Sequence, residues 1–216
     1  MALDTHVTTL PPEGLFYDDM HVGLRFPSPP GVLLDSGIVS LYTAISGDGL
    51  ALSLDHALCQ QVTGNDALLV NPALVLHVSI GASTVATRNV IGNLFYRNVV
   101  LAEQVHQGTT LRTITGVLAM ADSRPKPGSA PRGKALLGIQ TTTADGKTVV
   151  DYERCPLLPC KGDDAPGHAD EIGPAAPELD LSRFTGSIPS GWTLVPLGEH
   201  DSWTVGDVRS DFQRDM

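Results

Sequence analysis

The chain has 216 residues, 42% hydrophobic and 18% charged, which is enough to bury a core as one domain with an extension. Its formal net charge of -10 argues against nucleic acid as the main partner. No apolar run approaches the roughly 18 residues that a membrane span requires, and the start of the chain lacks a signal-peptide pattern, so we expect a cytoplasmic protein with no membrane partner.

The distribution of charge and the number of cysteines indicate which ligands and metal sites to expect. Residues 88–134 contain seven basic and two acidic residues, whereas residues 161–216 contain four basic and eleven acidic ones. The basic middle would attract a small polyanion, although charge on solvated strand edges gives the same pattern. The cysteines Cys59, Cys155 and Cys160 are odd in number and lack metal-ligand spacing, which predicts reduced thiols and no metal site.

The first third of the chain predicts a loop followed by short helices. Residues 1–34 are rich in Pro and Gly, and Asp35 or Ser36 can cap a helix. That helix has apolar residues at helical spacing, namely Ile38, Leu41, Tyr42 and Ile45. It ends at Gly47 and Gly49, and a second helix over residues 55–62 is stopped by Gly64.

The middle of the chain predicts one buried helix and then a sheet. Asn71-Pro72 is a cap followed by a first-turn proline, and residues 72–85 are apolar nearly all round; the proline and the length favour a helix over a strand. Four β-rich segments follow, at residues 94–101, 109–120, 135–143 and 148–157, and Asp145-Gly146 predicts a tight hairpin between the last two. This order predicts an α+β fold in which a curved antiparallel sheet wraps a central helix.

The end of the chain changes in composition. Residues 161–190 are rich in Gly, Asp and Pro and read as a linker or irregular arm, and residues 192–216 regain apolar side chains. We therefore divide the chain into a domain over residues 1–160 and an extension over residues 161–216.

One segment carries a family resemblance. The stretch from Ser46-Gly47-Asp48 to Leu54-Asp55 resembles the active-site segment of the MaoC-like hot-dog hydratases, in which an Asp precedes Asn-Pro and then a His five residues after the Asp. Asp48 takes the Asp position, Leu50-Ala51 the Asn-Pro positions and Ser53 the His position. Residues 92–99, 107–111, 122–128 and 152–154 resemble further segments of the family, including the loop of mesaconyl-CoA hydratase-like members and the N-terminal half of actinobacterial double-hot-dog acyl dehydratases.

The resemblance implies the hot-dog fold over roughly residues 15–160 and a reaction class. The family adds or removes water at the double bond of a 2-enoyl thioester, using an Asp and His as base and acid, with the thioester oxygen polarised at the start of the central helix. Asp48 is then the first catalytic candidate, although a turn residue between two glycines is an equal reading. Ser53 would hold water, but an unassisted hydroxyl is no base near neutral pH. His56 and His77 are the other catalytic candidates; a helix-surface and a core histidine are the simpler readings.

The resemblance also suggests binding residues and partners. The phosphates of a CoA or acyl-carrier arm would meet basic and amide side chains, with loop solvation or capping as the alternative for each; these candidates are Asn71, Asn93, Arg97, Arg124, Lys126 and Arg132. A second hot-dog, from another subunit or a second copy, would complete a dimer. No phosphate-loop, nucleophile-elbow or metal-pair motif is present, so we expect no cofactor. Two alternatives stay open: a non-catalytic subunit of a heteromeric hydratase, and a pocket altered for a bulky acyl or polyketide-like substrate.

Overall fold

The computed structural model describes residues 9–124, 128–178, 182 and 189–197. In chain order, the helices within these residues are α1 (Ser36–Ser46), α2 (Ala51–Leu54), α3 (His56–Thr63) and α4 (Pro72–Ser83). The strands are β1 (Val32–Leu33), β2 (Gly92–Leu101), β3 (Thr110–Asp122), β4 (Arg132–Thr143) and β5 (Thr148–Pro159). No helix in the described part of the chain is long and apolar enough to cross a membrane.

The predicted helix ends are confirmed, because local capping chemistry sets them. The carboxylate of Asp35 accepts the Ile38 N–H at 2.9 Å, and α1 ends at Gly47 with a φ of 66°. Asp55 caps α3 in the same way, and Asn71 caps α4 by accepting the Ala73 N–H at 2.7 Å. The single turn α2 was not predicted.

The five strands form one antiparallel sheet in the order β1-β3-β4-β5-β2. The predicted hairpin joins β4 to β5 and has Gly146 at a φ of 87°. Helix α4 packs on the inner face of the sheet, where Ser79 donates to the Tyr152 hydroxyl at 3.4 Å and accepts from the Thr141 hydroxyl at 2.6 Å. These findings confirm the α+β architecture of a sheet wrapped around a central helix.

Part of the C-terminal extension packs on the sheet. Ala169 pairs with Ala121 at the free edge of β3, where the Asp170 N–H donates to the Met120 carbonyl at 2.9 Å. The chain then crosses the outer face, the one away from α4, and buries Ile172 in a cluster whose members are Leu136, Cys155, Phe95, Leu118, Ala119 and Ala121. The described residues directly after residue 160 are therefore in contact with the sheet rather than apart from it.

Asp122, at the end of β3, holds two distant segments together. One of its oxygens accepts the Tyr17 hydroxyl at 3.0 Å and the His168 N–H at 3.2 Å, and the other accepts the Gly167 N–H at 2.8 Å. The Tyr17 ring is fully buried and makes an edge contact with His168. Burial of the phenol, and next its hydrogen bond to Asp122, raise the pKa of Tyr17 well above its usual value.

This raised pKa predicts a loss of stability in alkali. Below about pH 10 the Tyr17 phenol is protonated in both the folded and the unfolded chain. Above about pH 10 the phenol ionises in the unfolded chain but stays protonated in the folded one. The free energy of unfolding should then fall by about 1.4 kcal/mol per pH unit for Tyr17 alone. Urea titrations between pH 9 and 11 should show a shallower decline for Tyr17→Phe than for wild type, with Tyr42→Phe as the control. Equal slopes for all three proteins would contradict the assignment.

Candidate active site

The candidate site begins where α1 ends. Gly47 lets the chain turn out of the helix, and the Oδ1 atom of Asp48 then accepts the Leu50 N–H at 2.9 Å. The Ser53 N–H donates to the Leu50 carbonyl at 2.9 Å, which forms the turn of α2. These bonds fix the Asp48 carboxylate through one oxygen and leave the other available.

Two buried oxygens in this segment lack a hydrogen-bond partner among the described residues. They are the Oδ2 atom of Asp48 and the Oγ atom of Ser53, whose residue is 3% exposed. Buried polar groups are nearly always paired, because leaving one unpaired costs about 1–3 kcal/mol. Both oxygens lie at the positions that the sequence matches to the catalytic Asp and His of the resemblance, so this segment can accept hydrogen bonds from a bound molecule.

Apolar side chains surround this polar pair. The Leu69 N–H donates to the Leu52 carbonyl at 3.2 Å, which joins α2 to the segment that leads into α4. Only half of the predicted apolar face of α1 enters the core: Ile38 and Tyr42 pack against a buried cluster, whereas on the solvent side Leu41 is 60% exposed and Ile45 is 77% exposed. Leu50 and Leu54 are exposed as well. The site therefore has an apolar rim, which suits an acyl chain or an apolar partner surface.

The candidate histidines make contacts elsewhere. His56 is exposed, with its Nε2 atom 2.5 Å from the Asp66 carbonyl oxygen. His77 lies on the exposed side of α4 with its ring 5.8 Å from the ring of Tyr42. Neither imidazole is hydrogen-bonded to Asp48 or Ser53 within the described residues. Their catalytic roles remain predictions, and the structure does not bring them into a pair with Asp48.

The binding candidates on β2 and at the start of α4 are engaged by the chain itself. Arg97 forms an ion pair with Glu153 at 2.5 Å and donates to the Pro174 carbonyl at 2.7 Å. Asn93 accepts from the Arg154 guanidinium at 2.7 Å. Asn71 caps α4, which confirms the capping alternative that the sequence offered beside substrate binding. Substrate binding by these residues would compete with their present contacts.

Two of the remaining candidates, Arg124 and Arg132, lie at the far end of the sheet. Arg124 and Arg132 border a cavity of about 230 Å³ together with Asp163 and Asp164, and Lys126 lies outside the described residues. Strand β3 begins near the Asp48 end and finishes near this cavity, and its 13 residues span roughly 40 Å at about 3.3 Å per residue. A single chain does not bring these arginines to Asp48.

The sequence analysis did not predict the structural roles of two residues, Arg154 and Trp192. Arg154 is 2% exposed, although the alternation Val150, Tyr152, Arg154 in an apolar strand could have shown that it points inward. Trp192, in the Gly- and Pro-rich arm, is partly buried against a cluster that contains Leu52 and Leu69. The one sequence feature that indicates a packing role for Trp192 is that it is a large apolar residue in a stretch that otherwise has few of them.

Comparison with known proteins finds solved structures with a similar fold. No protein-family model matches the sequence, and no curated protein matches it. A conserved hypothetical protein from Mycobacterium tuberculosis with a double hot-dog fold is 34% identical, with a TM-score of 0.79 over 89% of this chain and 58% of that one. A protein described as a MaoC domain dehydratase from Chloroflexus aurantiacus is 22% identical, with a TM-score of 0.75 over 92% of this chain and 57% of that one. An (R)-hydratase from A. caviae is 21% identical, with a TM-score of 0.51 over 65% of this chain and 98% of its own.

The helix-wrapping sheet and these neighbours define a hot-dog protein. Its structural neighbours are double hot-dog and MaoC-like proteins, and they confirm the hot-dog fold that the sequence resemblance implied. It spans less than two thirds of the length of the first two structures, so what it shares with them is one part of a longer chain.

Proposed function

We propose that the chain forms one hot-dog of a hydratase or dehydratase that acts at the double bond of a 2-enoyl or 3-hydroxyacyl thioester, carried on CoA or an acyl-carrier protein. The observation that supports this most directly is the pair of buried, unpartnered oxygens on Asp48 and Ser53. The resemblance matches these residues to a catalytic Asp and His, and the structures similar to this chain include a dehydratase and an (R)-hydratase by name.

Asp48 is the group suited to proton transfer. Its Oδ1 atom is held by the Leu50 N–H, so Oδ2 can accept a proton from the water that adds to the β-carbon. The same carboxyl can return a proton to the α-carbon, which balances the hydration. Ser53 would hold the water by its hydroxyl, and the positive end of the α4 dipole would stabilise charge on the thioester oxygen.

A second hot-dog is part of this proposal. Strand β2 has a strand neighbour only on its β5 side within the described residues, and Leu94 and Tyr96 along it are exposed, as is Ile91 just before it. A strand at the edge of a sheet favours pairing with another chain. In antiparallel pairing across β2, the Arg132 end of one sheet lies on the same side as the Asp48 end of the other. Arg124 and Arg132 would then serve the partner's thioester rather than their own.

One observation favours a second candidate function. Asp48 has no imidazole partner among the described residues, because Ser53 stands at the His position and His56 and His77 point elsewhere. A chain of this kind could bind the thioester while a partner hot-dog supplies the catalytic pair.

Hydration of a panel of 2-enoyl-CoA thioesters by the purified chain separates the two functions. If the chain is catalytic alone, Asp48→Ala should lower kcat/KM by about 100-fold or more, since it removes the proton-transfer group. Glu171→Ala, which removes an exposed carboxylate that lines neither the candidate site nor the cavity beside Arg132, is the matched control and should keep wild-type turnover.

The variant Ser53→His tests the second candidate. If the folded wild-type chain is inactive, turnover gained by Ser53→His and lost again with Asp48→Ala would identify a binding hot-dog that lacks only its imidazole. Wild-type turnover that persists in Asp48→Ala would contradict both assignments of the site.

A further inference from the structure

A cavity of about 160 Å³ lies beside the start of α4. The side chains that line it are largely apolar and include Leu69, Pro72, Val75, Leu101, Val105 and Trp192. Most of these residues are also members of the two hydrophobic clusters that flank α4, so the cavity lies between packed layers.

The cavity adjoins the candidate active site. Leu69 forms part of its wall and donates its N–H to the carbonyl of Leu52, the residue before Ser53. Pro72 and Val75 bring the first turn of α4 to the opposite side. A thioester held at Ser53 and the start of α4 would therefore have this largely apolar cavity beside it.

One wall of the cavity comes from the C-terminal arm. The Thr193 N–H donates to the Val62 carbonyl at 2.8 Å, which fastens the arm to the end of α3. The adjacent Trp192 packs its indole against the cluster of Leu52, Cys59, Val62 and Leu69. The arm thus contributes a large, rigid side chain to a space that the hot-dog core alone would leave open.

We propose that this cavity binds the apolar end of the acyl group, and that Trp192 sets the length that it accepts. An apolar cavity of about 150 Å³ stays dry and takes up benzene, so a space of this size fits about six carbon atoms. The substrate class is thus a thioester with a short aliphatic tail or a compact ring. This inference rests on the proposed thioester function for its other end.

Calorimetric titration of the full chain with hexanoyl-CoA, decanoyl-CoA and CoA tests the inference without requiring turnover. Hexanoyl-CoA should bind more tightly than CoA. Trp192→Ala should weaken hexanoyl-CoA binding about tenfold, raise the preference for decanoyl-CoA and leave CoA binding unchanged, because it removes apolar contact area and opens the cavity. Trp192→Phe should restore part of the affinity, and Leu194→Ala, 59% exposed on the same segment, should match wild type.

Equal affinities of wild type for hexanoyl-CoA and CoA would overturn the inference, and this comparison needs no variant. So would an unchanged chain-length preference in a folded Trp192→Ala protein. If the hydratase proposal alone is wrong, hexanoyl-CoA binding keeps its dependence on Trp192 without turnover. If only the cavity assignment is wrong, turnover remains and Trp192→Ala leaves its chain-length profile unmoved.

Discussion

Replacing Gly133 with alanine is expected to cost more than about 4 kcal/mol of folding free energy. A β-carbon at Gly133 would overlap the ring of Tyr17, which lies directly over this position at the start of β4. The ring cannot move aside, because it is fully buried, its hydroxyl donates to Asp122 and its face meets His168. Since Asp122 is the cross-strand partner of Gly133, the phenol reaches it only by passing over a residue without a side chain.

Urea unfolding of Gly133→Ala measures this cost, and Gly138→Ala is the matched control on the same strand. A β-carbon at Gly138 would lie 3.0 Å from the Cδ1 atom of Leu118, a flexible side chain that can rotate, so we expect a loss below about 1 kcal/mol. In the double variant Tyr17→Ser, Gly133→Ala the two effects should not add, because the smaller side chain removes the overlap. A loss for Gly133→Ala no larger than for Gly138→Ala would show that the ring is not held in place.

The elements that the sequence predicted well are those with local causes. Asp35, one of the two expected caps of α1, and Asn71 cap their helices, and Gly47 and Gly64 end two helices as expected, because each of these signals acts within a few residues of chain. The contact between Tyr17 and Gly133 joins residues more than a hundred positions apart. Nothing near either residue encodes it, so it required the folded chain.

The candidate site was predictable in part for the same reason. Asp48 and Ser53 belong to one short segment, so a spacing in the sequence carried them to one place. The positions of the arginines could not be predicted in this way, because the sequence offers Arg97 and Arg132 equally as phosphate-binding candidates and does not say where in the sheet each one lies. The sheet separates them, engaging Arg97 with Glu153 at the β2 edge and leaving Arg132 beside the far cavity.

Arg154→Ala is expected to cost about 3–5 kcal/mol. The guanidinium donates to Asn93, Ser83 and Thr87 at 2.7, 3.0 and 2.9 Å, and its residue is 2% exposed. Removing it leaves the two buried hydroxyls of Ser83 and Thr87 without their donor, at about 1–3 kcal/mol for each unpaired group, and a cavity in addition.

This buried charge has no carboxylate within ion-pair distance among the described residues. Its hydroxyl partners lie on the last residue of α4 and in the turn that follows, at the negative end of the helix dipole. The ring of Tyr96 lies 5.8 Å from the guanidinium carbon and adds a cation–π contact. Helix dipole, hydroxyls and ring together replace the counter-ion.

Because a planar guanidinium reaches three acceptors at once, Arg154→Lys should recover little of the lost stability, although it keeps the charge. Arg112→Ala, an exposed arginine of β3, is the control and should change stability by less than about 0.5 kcal/mol. The loss of stability should also reach the edge strand, because Asn93 and Tyr96 both lie on β2. In the Arg154→Lys variant, amide hydrogen exchange should therefore rise more in β2 than in β4. A lysine variant as stable as wild type, with β2 exchange unchanged, would mean that charge alone holds the end of α4 to the edge where we expect the second hot-dog to pair.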